Sequence, residues 1–400
     1  MNLDQLRYSE QLTEAITASN LSMEPRLQLP QPFNSASYEL NINTPDPIKV
    51  IGYGNLRQDY PLELMEFERR SPRDDDVVIE ILYCGVCHSD WHVIRNEWKN
   101  SKYPIVVGHE ITGRVLEVGN NVTRFKTGDL VALGPNYNSC RQCHQCADGF
   151  EQYCLNDVTE TYNFPDRKVG EIKPTGPVTQ GGYSNVIVAD QYYVLKVPDG
   201  APLDLVAPLL CAGSTMYTTL KYSNLKPGSR VGIAGCGGLG HIGVKLAKAM
   251  KYEVIVLTRT PDKLKDALRL GADQALLVTD TVLLKPYEMT FDLIVDTIPF
   301  NHDLMPYINL IKPQSTLWIV GSFFTMAVDF DITARKGRII RGSSTAGISD
   351  TQEFINLCVA NNIYPDIELI SMHDINATHE NIVTGKVRYR YVIDMVTIYD

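Results

Sequence analysis

The sequence lacks a long hydrophobic run and lacks an excess of positive charge. No apolar segment approaches the roughly 20 residues that a membrane-spanning helix needs. With 37 basic against 47 acidic residues and a net charge of −10, neither nucleic acid nor a membrane is expected as a partner. The first twenty residues contain Asp4, Glu10 and Glu14 but no apolar signal segment, so we expect no secretory leader. Nine cysteines fit a reducing compartment, and a cytoplasmic protein is predicted.

The 400-residue chain is too long for one ordinary core, and its patterning changes along its length. Residues 1–46 are polar and contain several prolines, which predicts a loosely attached extension. From Ile48, short β runs are broken by glycine and proline, which predicts a barrel-like β domain. From about Pro227, strands alternate with helices, which predicts an α/β domain with a parallel sheet. After about Arg341 the pattern becomes irregular and strand-like again.

Four closely spaced cysteines are the strongest local signal, and they are Cys140, Cys143, Cys146 and Cys154. The residues between them are mostly polar, which disfavours four unrelated core side chains. Four thiolates can close a tetrahedron around one Zn²⁺ and leave no open position, so a structural zinc site is predicted. An iron–sulfur cluster, which uses similar spacings, is a weaker alternative, and a disulfide framework is weaker still.

A glycine-rich loop lies between a predicted strand and a predicted helix, and its sequence is Gly235-Cys236-Gly237-Gly238-Leu239-Gly240. This order of glycines allows a tight turn and lets a pyrophosphate approach the N-terminus of the following helix. The loop therefore predicts dinucleotide binding. The alternative is a glycine turn that serves only packing.

The end of the next predicted strand bears on the choice between NAD and NADP. NAD-binding enzymes carry an aspartate or glutamate there, which holds the ribose 2′-hydroxyl. This sequence instead has Thr258 and Arg259, with Lys263 one turn into the next helix and no carboxylate before Asp262. A hydroxyl and two cations suit a 2′-phosphate, which predicts NADP(H). The alternative is that Arg259 and Lys263 are solvated surface charges.

Two further segments are rich in metal-binding residue types: Cys84-Gly-Val-Cys87-His88-Ser89-Asp90-Trp91-His92 and Gly108-His109-Glu110-Ile-Thr-Gly113. Together with the four cysteines and the glycine-rich loop, they make residues 47–400 resemble the zinc-dependent alcohol dehydrogenases of the medium-chain dehydrogenase/reductase superfamily. The segments Gln180-Gly-Gly-Tyr-Ser, Leu210-Cys-Ala-Gly and Val387-Arg-Tyr-Arg-Tyr-Val-Ile-Asp resemble the cinnamyl-alcohol dehydrogenase-like aldehyde reductases in particular.

This resemblance implies an α/β protein with a GroES-like β-barrel catalytic domain over residues 47–212, completed by 346–400. It implies a Rossmann cofactor domain, with a doubly wound parallel sheet, over residues 213–345. It also implies a second, catalytic zinc ion held by Cys87, His109 and Cys211. Two zinc ions per chain are therefore expected, one structural and one catalytic.

The resemblance also assigns roles around the catalytic zinc and the cofactor. Glu110 would neighbour the metal, Asp90 would orient the His109 ring, and Ser89 and His92 would relay a proton. The expected contacts to NADP(H) outside the glycine-rich loop are His88 near the phosphates, Thr215 at the nicotinamide ring, Val320, Gly321 and Ser322 at the carboxamide, and Arg388 at the pyrophosphate.

We therefore expect an oxidoreductase that transfers hydride between NADPH and an aldehyde, or the matching primary alcohol. Trp91 and Trp98 are predicted to line the substrate pocket, which suits aromatic or medium-chain aldehydes. The family suggests a homodimer that pairs the sheet edges of the cofactor domains.

Two alternatives remain at this point. An NAD-dependent polyol- or formaldehyde-type dehydrogenase is disfavoured by Thr258 and Arg259. A non-catalytic NADP-binding sensor or structural protein is disfavoured because the expected zinc ligands and both relay residues, Ser89 and His92, are present.

Overall fold

The computed structural model describes residues 46–168, 170–321 and 324–400, and these form two compact units. The first, here called the mixed-sheet unit, contains residues 46–211, Gly347–Val359 and Tyr364–Asp400. The second, the parallel-sheet unit, contains Ala212–Ala346 and Ala360–Ile363. The predicted extension lies outside the described residues except for Asp46. Within the described ranges, no helix is both long enough and apolar enough to cross a membrane.

The mixed-sheet unit is built from short, mostly antiparallel strands. These are β1 (Ile48–Asn55), β2 (Leu62–Arg69), β3 (Asp76–Gly85), β4 (Ile111–Val118), β5 (Leu130–Leu133), β6 (Asn136–Asn138), β7 (Thr159–Glu160), β8 (Val186–Asp190) and β9 (Leu195–Lys196), joined by β16 (Ile367–Ser371) and β17 (Arg390–Asp394). The main sheet has the order β16-β17-β3-β4-β5-β9, and β8 also pairs with β3. Strand β3 is apolar along nearly its whole length because neighbouring elements cover both of its faces.

The parallel-sheet unit contains one six-stranded sheet in which all pairs are parallel. Its strands are β10 (Arg230–Ala234), β11 (Glu253–Thr258), β12 (Gln274–Leu277), β13 (Phe291–Asp296), β14 (Ile311–Ile319) and β15 (Ile339–Gly342). The order is β12-β11-β10-β13-β14-β15, which is the doubly wound arrangement of a Rossmann domain. Continuous apolar runs in β11 and β13 are typical of strands that are buried on both faces.

Helices connect and flank these sheets. In the mixed-sheet unit they are α1 (His88–Ile94), α2 (His144–Ala147), α3 (Leu203–Val206), α10 (Ile348–Asn361, which crosses the boundary between the units) and α11 (Ile375–Val383). In the parallel-sheet unit they are α4 (Ala212–Lys221), α5 (Gly238–Ala249), α6 (Asp262–Arg269), α7 (Thr281–Leu284), α8 (Met305–Leu310) and α9 (Phe330–Ala334). Short 3-10 turns cover Glu151–Tyr153, Ala207–Leu210, Lys285–Tyr287, Met372–Asp374 and Met395–Tyr399.

The predicted fold class is confirmed, but the prediction for the last part of the chain is wrong. That part was expected to be irregular and strand-like, whereas the structure has helices α10 and α11 there. Both helices are rich in asparagine, threonine and isoleucine, which have modest helix propensity, and this composition hides their periodicity. In α10, burial of Phe354, Ile355 and Cys358 compensates for this weak propensity.

Candidate active site

A cluster of four metal-binding side chains lies in the mixed-sheet unit: Cys87, His109, Glu110 and Cys211. Their ligand atoms all lie within 4.8 Å of one another. Cys87 follows β3 and caps α1, while His109 and Glu110 directly precede β4. Antiparallel pairing of β3 with β4 brings these two positions together, and the Gly85 amide donates to the Glu110 carbonyl at 2.8 Å.

The geometry of this cluster fits a zinc ion. The sulfur atoms of Cys87 and Cys211 are 3.8 Å apart, close to the edge of about 3.8 Å expected for a tetrahedron with 2.3 Å Zn–S bonds. Nε2 of His109 is buried and accepts or donates no hydrogen bond within the described chain. The hydrogen bond with Cys211 holds the pKa of the Cys87 thiol well below its usual range, although burial opposes this.

Asp90 lies next to Nδ1 of the His109 ring. Its fully buried carboxylate accepts hydrogen bonds from the Cys87 amide at 2.9 Å, the Gly108 amide at 3.1 Å and the Tyr183 hydroxyl at 3.1 Å. One Asp90 oxygen lies 3.6 Å from His109 Nδ1. Burial raises the pKa of the Asp90 carboxyl, and the charge of His109 opposes this shift.

The closest partner of His109 Nδ1 is the hydroxyl of Tyr162, at 3.0 Å. The two rings also stack, with their centroids 5.5 Å apart. Tyr162 is not predicted from the sequence, because a lone tyrosine in a loop carries no signal that separates it from a core residue. Both Nδ1 contacts leave Nε2 as the nitrogen directed to the metal cluster.

Glu110 is held by an arginine from the far end of the chain. One guanidinium nitrogen of Arg390 bonds both carboxylate oxygens of Glu110, and both side chains are buried. Burial raises the pKa of the Glu110 carboxyl, and the charge of Arg390 opposes that rise and favours the ionised form. The predicted arginine, Arg388, lies two residues earlier and donates to the Gly385 carbonyl at 3.2 Å. Its proposed contact with the pyrophosphate stays a prediction.

Ser89, His92 and His88 lie on α1, directly beside the cluster. The Cys87 thiol donates to the Ser89 hydroxyl at 3.7 Å. The buried His92 has its Nδ1 2.5 Å from Oε2 of Glu97, and the Glu97 side chain is 34% exposed. The rings of His88 and His92 have centroids 4.8 Å apart, and burial lowers the pKa of His88 to about 4. Glu97, which is not predicted from the sequence, connects His92 to solvent.

The two tryptophans contact different neighbours. The ring of Trp91 lies 5.4 Å from the His379 ring of α11, and the guanidinium of Arg95 covers it at 4.5 Å. The ring of Trp98 lies 5.1 Å from the His92 ring and packs against the main core. Of the two, Trp98 is therefore the one in contact with a predicted relay residue.

The four predicted structural cysteines also converge, with their sulfur atoms within 4.8 Å of one another. The Cys143 and Cys146 sulfurs are 3.5 Å apart, and those of Cys140 and Cys146 are 4.0 Å apart. Backbone amides of Cys140 and Cys143 each donate to a cysteine sulfur at 3.4 Å. Such amides stabilise thiolates, and the distances fit one tetrahedral Zn²⁺.

The glycine-rich loop in the parallel-sheet unit is tight enough to require its glycines. Gly235 has a φ of +91°, and a Cβ on Gly240 would lie 2.1 Å from the Gly235 carbonyl oxygen. Helix α5 begins at Gly238 with Gly237 as its cap, and Leu239 lies in its first turn. This strand–loop–helix arrangement is the one that accommodates a pyrophosphate.

The predicted phosphate-recognition residues lie at the end of β11. Thr258 ends the strand and is buried, and its hydroxyl accepts from the Thr260 amide at 3.1 Å. Arg259 is exposed and Lys263 is half-buried. No carboxylate lies at the strand end itself, so the side chains here suit a phosphate better than a hydroxyl.

The other predicted cofactor residues lie elsewhere in the parallel-sheet unit. Thr215 is buried in α4, and its carbonyl accepts from the Thr219 hydroxyl at 2.9 Å. The amides of Val320 and Gly321 both donate to the Asp296 carbonyl, at 2.9 and 3.1 Å. Ser322 lies outside the described residues.

Comparisons with known proteins identify the family. The alcohol dehydrogenase GroES-like domain matches residues 73–199, and the zinc-binding dehydrogenase domain matches residues 238–360. A probable cinnamyl alcohol dehydrogenase 3 of Oryza sativa is 44% identical over 82% of this chain and 88% of its own length. An NADP-dependent alcohol dehydrogenase C of Mycobacterium tuberculosis is 43% identical over 86% of this chain and 98% of its own.

The chain belongs to the zinc-type alcohol dehydrogenase family. Solved structures agree with this zinc-type alcohol dehydrogenase fold. A cinnamyl alcohol dehydrogenase from Sorghum bicolor superposes with a TM-score of 0.83 at 38% identity, covering 87% of this chain and 98% of the other. A Helicobacter pylori protein, described as a CAD complexed with NADP(H), superposes with a TM-score of 0.81 at 39% identity, covering 88% and 99%. The predicted family, the GroES-like and Rossmann fold and the alcohol dehydrogenase class of oxidoreductase are confirmed.

Proposed function

We propose that this zinc-type alcohol dehydrogenase reduces aldehydes with NADPH and oxidises the matching primary alcohols with NADP⁺. The observation that carries the proposal is the cluster of Cys87, His109 and Cys211. Nε2 of its imidazole has no hydrogen-bond partner among the described residues, and a serine hydroxyl lies beside the cluster. Three such ligands leave one position of a tetrahedral zinc site open for a substrate oxygen. The names of the similar proteins support NADP(H) as the cofactor.

Each metal cluster has a separate role in this proposal. Cys87, His109 and Cys211 would hold the catalytic zinc ion, which when bound would supply a Lewis acid for a carbonyl group. Four thiolates of Cys140, Cys143, Cys146 and Cys154 would hold a second, structural ion, giving two per chain.

The neighbouring side chains orient ligands and carry the proton. Asp90 and the Tyr162 hydroxyl fix which nitrogen of the His109 ring carries its proton, so that Nε2 keeps a free lone pair. The Ser89 hydroxyl is close enough to the cluster to donate a proton to a substrate oxygen. His92 is its outer partner, and Glu97 passes the proton between His92 and solvent.

The ion pair of Glu110 with Arg390 keeps a carboxylate beside the metal cluster without leaving its charge uncompensated. While Arg390 holds both oxygens of Glu110, that carboxylate is engaged, which would leave the fourth ligand position of a bound zinc ion to the substrate. Glu110 is thus a reserve ligand during exchange of substrate and product.

The parallel-sheet unit would bind the dinucleotide. The glycine-rich loop from Gly235 to Gly240 receives the pyrophosphate at the N-terminus of α5. Thr258, Arg259 and Lys263 receive the 2′-phosphate. The contacts to the cofactor that the family implies for His88, Thr215, Val320, Gly321 and Arg388 belong to this proposal as well.

We also propose a cytoplasmic homodimer that acts on aromatic or medium-chain aldehydes. Trp98, beside His92, would contribute an aromatic wall to the substrate pocket, and Trp91 would support it. Strand β15 is an edge strand of the parallel sheet, and its Ile339 is exposed, as is nearby Phe330 of α9. An exposed apolar edge strand is a natural site for pairing with a second copy.

The test is a set of initial rates with benzaldehyde and cinnamaldehyde, comparing NADPH with NADH, on protein of measured zinc content. We expect rapid NADPH consumption, a strong preference for NADPH and about two zinc ions per chain. An Arg259→Ala variant should lose much of that preference, roughly tenfold or more, because a charge-assisted pair is removed. Rapid turnover with NADH alone would contradict the cofactor assignment, and no turnover with full zinc content would contradict the reductase.

A further inference from the structure

A histidine and an aspartate form a buried ion pair in the parallel-sheet unit, and the proposed chemistry uses neither of them. Nε2 of His302 lies 3.0 Å from Oδ2 of Asp296, and the two side chains are 7% and 0% exposed. Neither atom has a hydrogen-bond partner elsewhere in the described part of the chain. Among the described residues, His302 is the one basic side chain in contact with Asp296, so the charge of this buried carboxylate depends on His302 for its compensation.

The contacts of the His302 ring decide where its protons are. Nδ1 lies 2.7 Å from the carbonyl oxygen of Phe300, which can only accept a hydrogen bond, so Nδ1 carries a hydrogen. Nε2 faces an oxygen of Asp296, which also only accepts when the carboxylate is ionised. Both ring nitrogens are therefore protonated beside the ionised carboxylate, and the pair has no net charge. Loss of one ring proton leaves a single buried negative charge on Asp296.

Asp296 lies at the edge of the parallel sheet that would receive the dinucleotide. It ends β13 and is in register with Ala234, the residue before Gly235. Its backbone carbonyl accepts hydrogen bonds from the amides of Val320 and Gly321, at 2.9 and 3.1 Å. Asp296 therefore lies between the glycine-rich loop and the segment expected at the carboxamide. Ligands of such sheets bind in the crevice beyond the carboxyl ends of the strands, which is where Asp296 lies.

Three further titratable or charged side chains surround His302. Tyr307 of α8 meets the His302 ring edge-on, with the ring centroids 5.8 Å apart, and burial raises the pKa of Tyr307 to about 12. Arg259, which follows β11, acts on His302 through its charge. Asp303 is the next residue along the chain, and it is exposed, with its carboxylate accepting from the Met305 amide at 2.9 Å.

These surroundings set the direction in which the proton affinity of His302 moves. Burial lowers the pKa of His302, and the charge of Arg259 acts in the same direction. The contacts with Asp296 and with the Phe300 carbonyl outweigh both, so the pKa of His302 is raised above its usual value. The pair is therefore protonated at neutral pH and loses its proton in the alkaline range.

We propose that His302 is a positioning residue for the dinucleotide: its proton neutralises Asp296 beside the glycine-rich loop and so allows the loop to accept the negatively charged pyrophosphate. The inference rests on the proposed binding of NADP(H) and adds a regulation of that site by pH. Once the ring has lost its proton, the uncompensated carboxylate repels the pyrophosphate and the affinity falls. By linkage, a bound dinucleotide strengthens the hold on the proton, so binding in the alkaline range takes up protons.

The experiment is calorimetric titration of the full chain with NADPH and with NADP⁺ between pH 7 and pH 9. The 2′-phosphate has its second pKa at about 6, so its charge is nearly constant over this range. The Kd of the wild-type protein should rise about tenfold from pH 7 to pH 9, as expected for one added charge near the ligand. Titrations at pH 8 in buffers of different ionisation enthalpy should reveal uptake of up to about one proton on binding.

Two variants of the pair should lose this pH dependence at opposite levels of affinity. Asp296→Asn keeps the Oδ1 acceptor for the Ile298 amide, at 3.0 Å, but removes the charge, so binding should remain tight through pH 9. His302→Gln leaves the carboxylate without its cation, so its Kd at pH 7 should match that of the wild-type protein at pH 9. A merely structural role would weaken binding in both variants.

Asp303→Asn is the matched control, because it makes the same chemical change at an exposed carboxylate next to His302. It should keep the pH dependence and the proton uptake of the wild-type protein. If Asp296→Asn does not fold, the comparison of His302→Gln with Asp303→Asn decides.

A wild-type Kd that is constant from pH 7 to pH 9 would overturn the role of His302 and leave NADP(H) binding standing. Persistence of the pH dependence in both His302→Gln and Asp296→Asn would do the same. Absence of binding at every pH would overturn the proposed cofactor together with this inference.

Discussion

The four-cysteine cluster and the Cys87 cluster each place four metal-binding side chains within 4.8 Å of one another, but the chain assembles them in different ways. The first comes from one short loop, Cys140 to Cys154, and uses a single ligand type. The second combines Cys87, His109 and Cys211 from separate elements with a carboxylate that Arg390 engages. One cluster lies within its own loop, whereas the other draws its residues from distant parts of the mixed-sheet unit.

This difference suggests a division of labour. A site with four thiolates has no place for a substrate and can only hold its loop together. A site with three permanent ligands, and a carboxylate held away by an arginine, can exchange a ligand, which catalysis requires. Damage to the first should therefore affect stability, and damage to the second should affect turnover.

The largest expected effect is that of Cys211→Ser. We expect kcat for benzaldehyde reduction to fall at least about 10³-fold, because a weakened Lewis-acid site forfeits several kcal/mol of transition-state stabilisation. The melting temperature should stay close to that of the wild-type protein. The matched control is Cys84→Ala, which removes a buried thiol outside the cluster and should keep most of the activity. Equal losses in the two variants would contradict the distinction between ligand and packed thiol.

Cys146→Ser, in the four-cysteine cluster, should lower stability more than turnover, which is the reverse of the result expected for Cys211→Ser. Loss of a structural metal costs several kcal/mol, and in a unit of this size that corresponds to a fall in melting temperature on the order of 10 °C. Zinc content should drop from about two to about one per chain. Thermal unfolding and metal analysis by mass spectrometry measure both quantities. A variant with unchanged stability and reduced turnover would reverse the roles of the two clusters.

Arg390→Met removes the guanidinium that holds Glu110, the fourth metal-binding side chain of the Cys87 cluster. Removing one partner of a buried ion pair leaves an uncompensated charge, so the free energy of unfolding should fall by about 3 kcal/mol. Adding Glu110→Gln to Arg390→Met should restore much of that loss, since the buried charge is then absent. Denaturant unfolding of the two single variants and the double variant gives the coupling. Additive losses would show that the pair does not act as a unit.

The smallest expected effect is that of Tyr162→Phe. It tests whether a tyrosine hydroxyl next to a metal ligand matters more at the Cys87 cluster than at the four-cysteine cluster. Loss of the hydroxyl bonded to His109 should weaken catalytic zinc binding about tenfold. Tyr193→Phe is the matched change near the other cluster, where the Tyr193 hydroxyl lies 2.7 Å from that of Ser139. It should leave catalytic zinc affinity unchanged. Competition with a chelator measures the affinities, and a similar shift in both variants would count against a specific role for Tyr162.

The sequence predicted correctly those features whose residues all lie within one short segment. The four-cysteine spacing and the glycine-rich loop each lie within one short segment, and the strands and helices from Arg230 to Asp296 follow the predicted alternation closely. The helices α10 and α11 were not predicted because their residues have weak helix propensity, and they are stabilised by burial instead. Tyr162 and Arg390 escaped because only the folded chain brings them to the cluster. Glu97 lies only five residues from His92, but a single glutamate after a short helix carries no signal of that contact.

The antiparallel pairing of β17 with β3 has a consequence for biosynthesis. Arg390 and Glu110 are 280 positions apart, and the strand that carries Arg390 follows all six strands of the parallel sheet in the sequence. Because synthesis proceeds from the N-terminus, the unit that begins first on the ribosome is completed last, after the intervening parallel sheet has emerged. Until then β3 lacks one neighbour and Glu110 lacks its cation, so a nascent chain has an open sheet edge. A stop codon before Arg390 would remove the cation that pairs with Glu110, so it would damage the metal cluster as much as a substitution inside it.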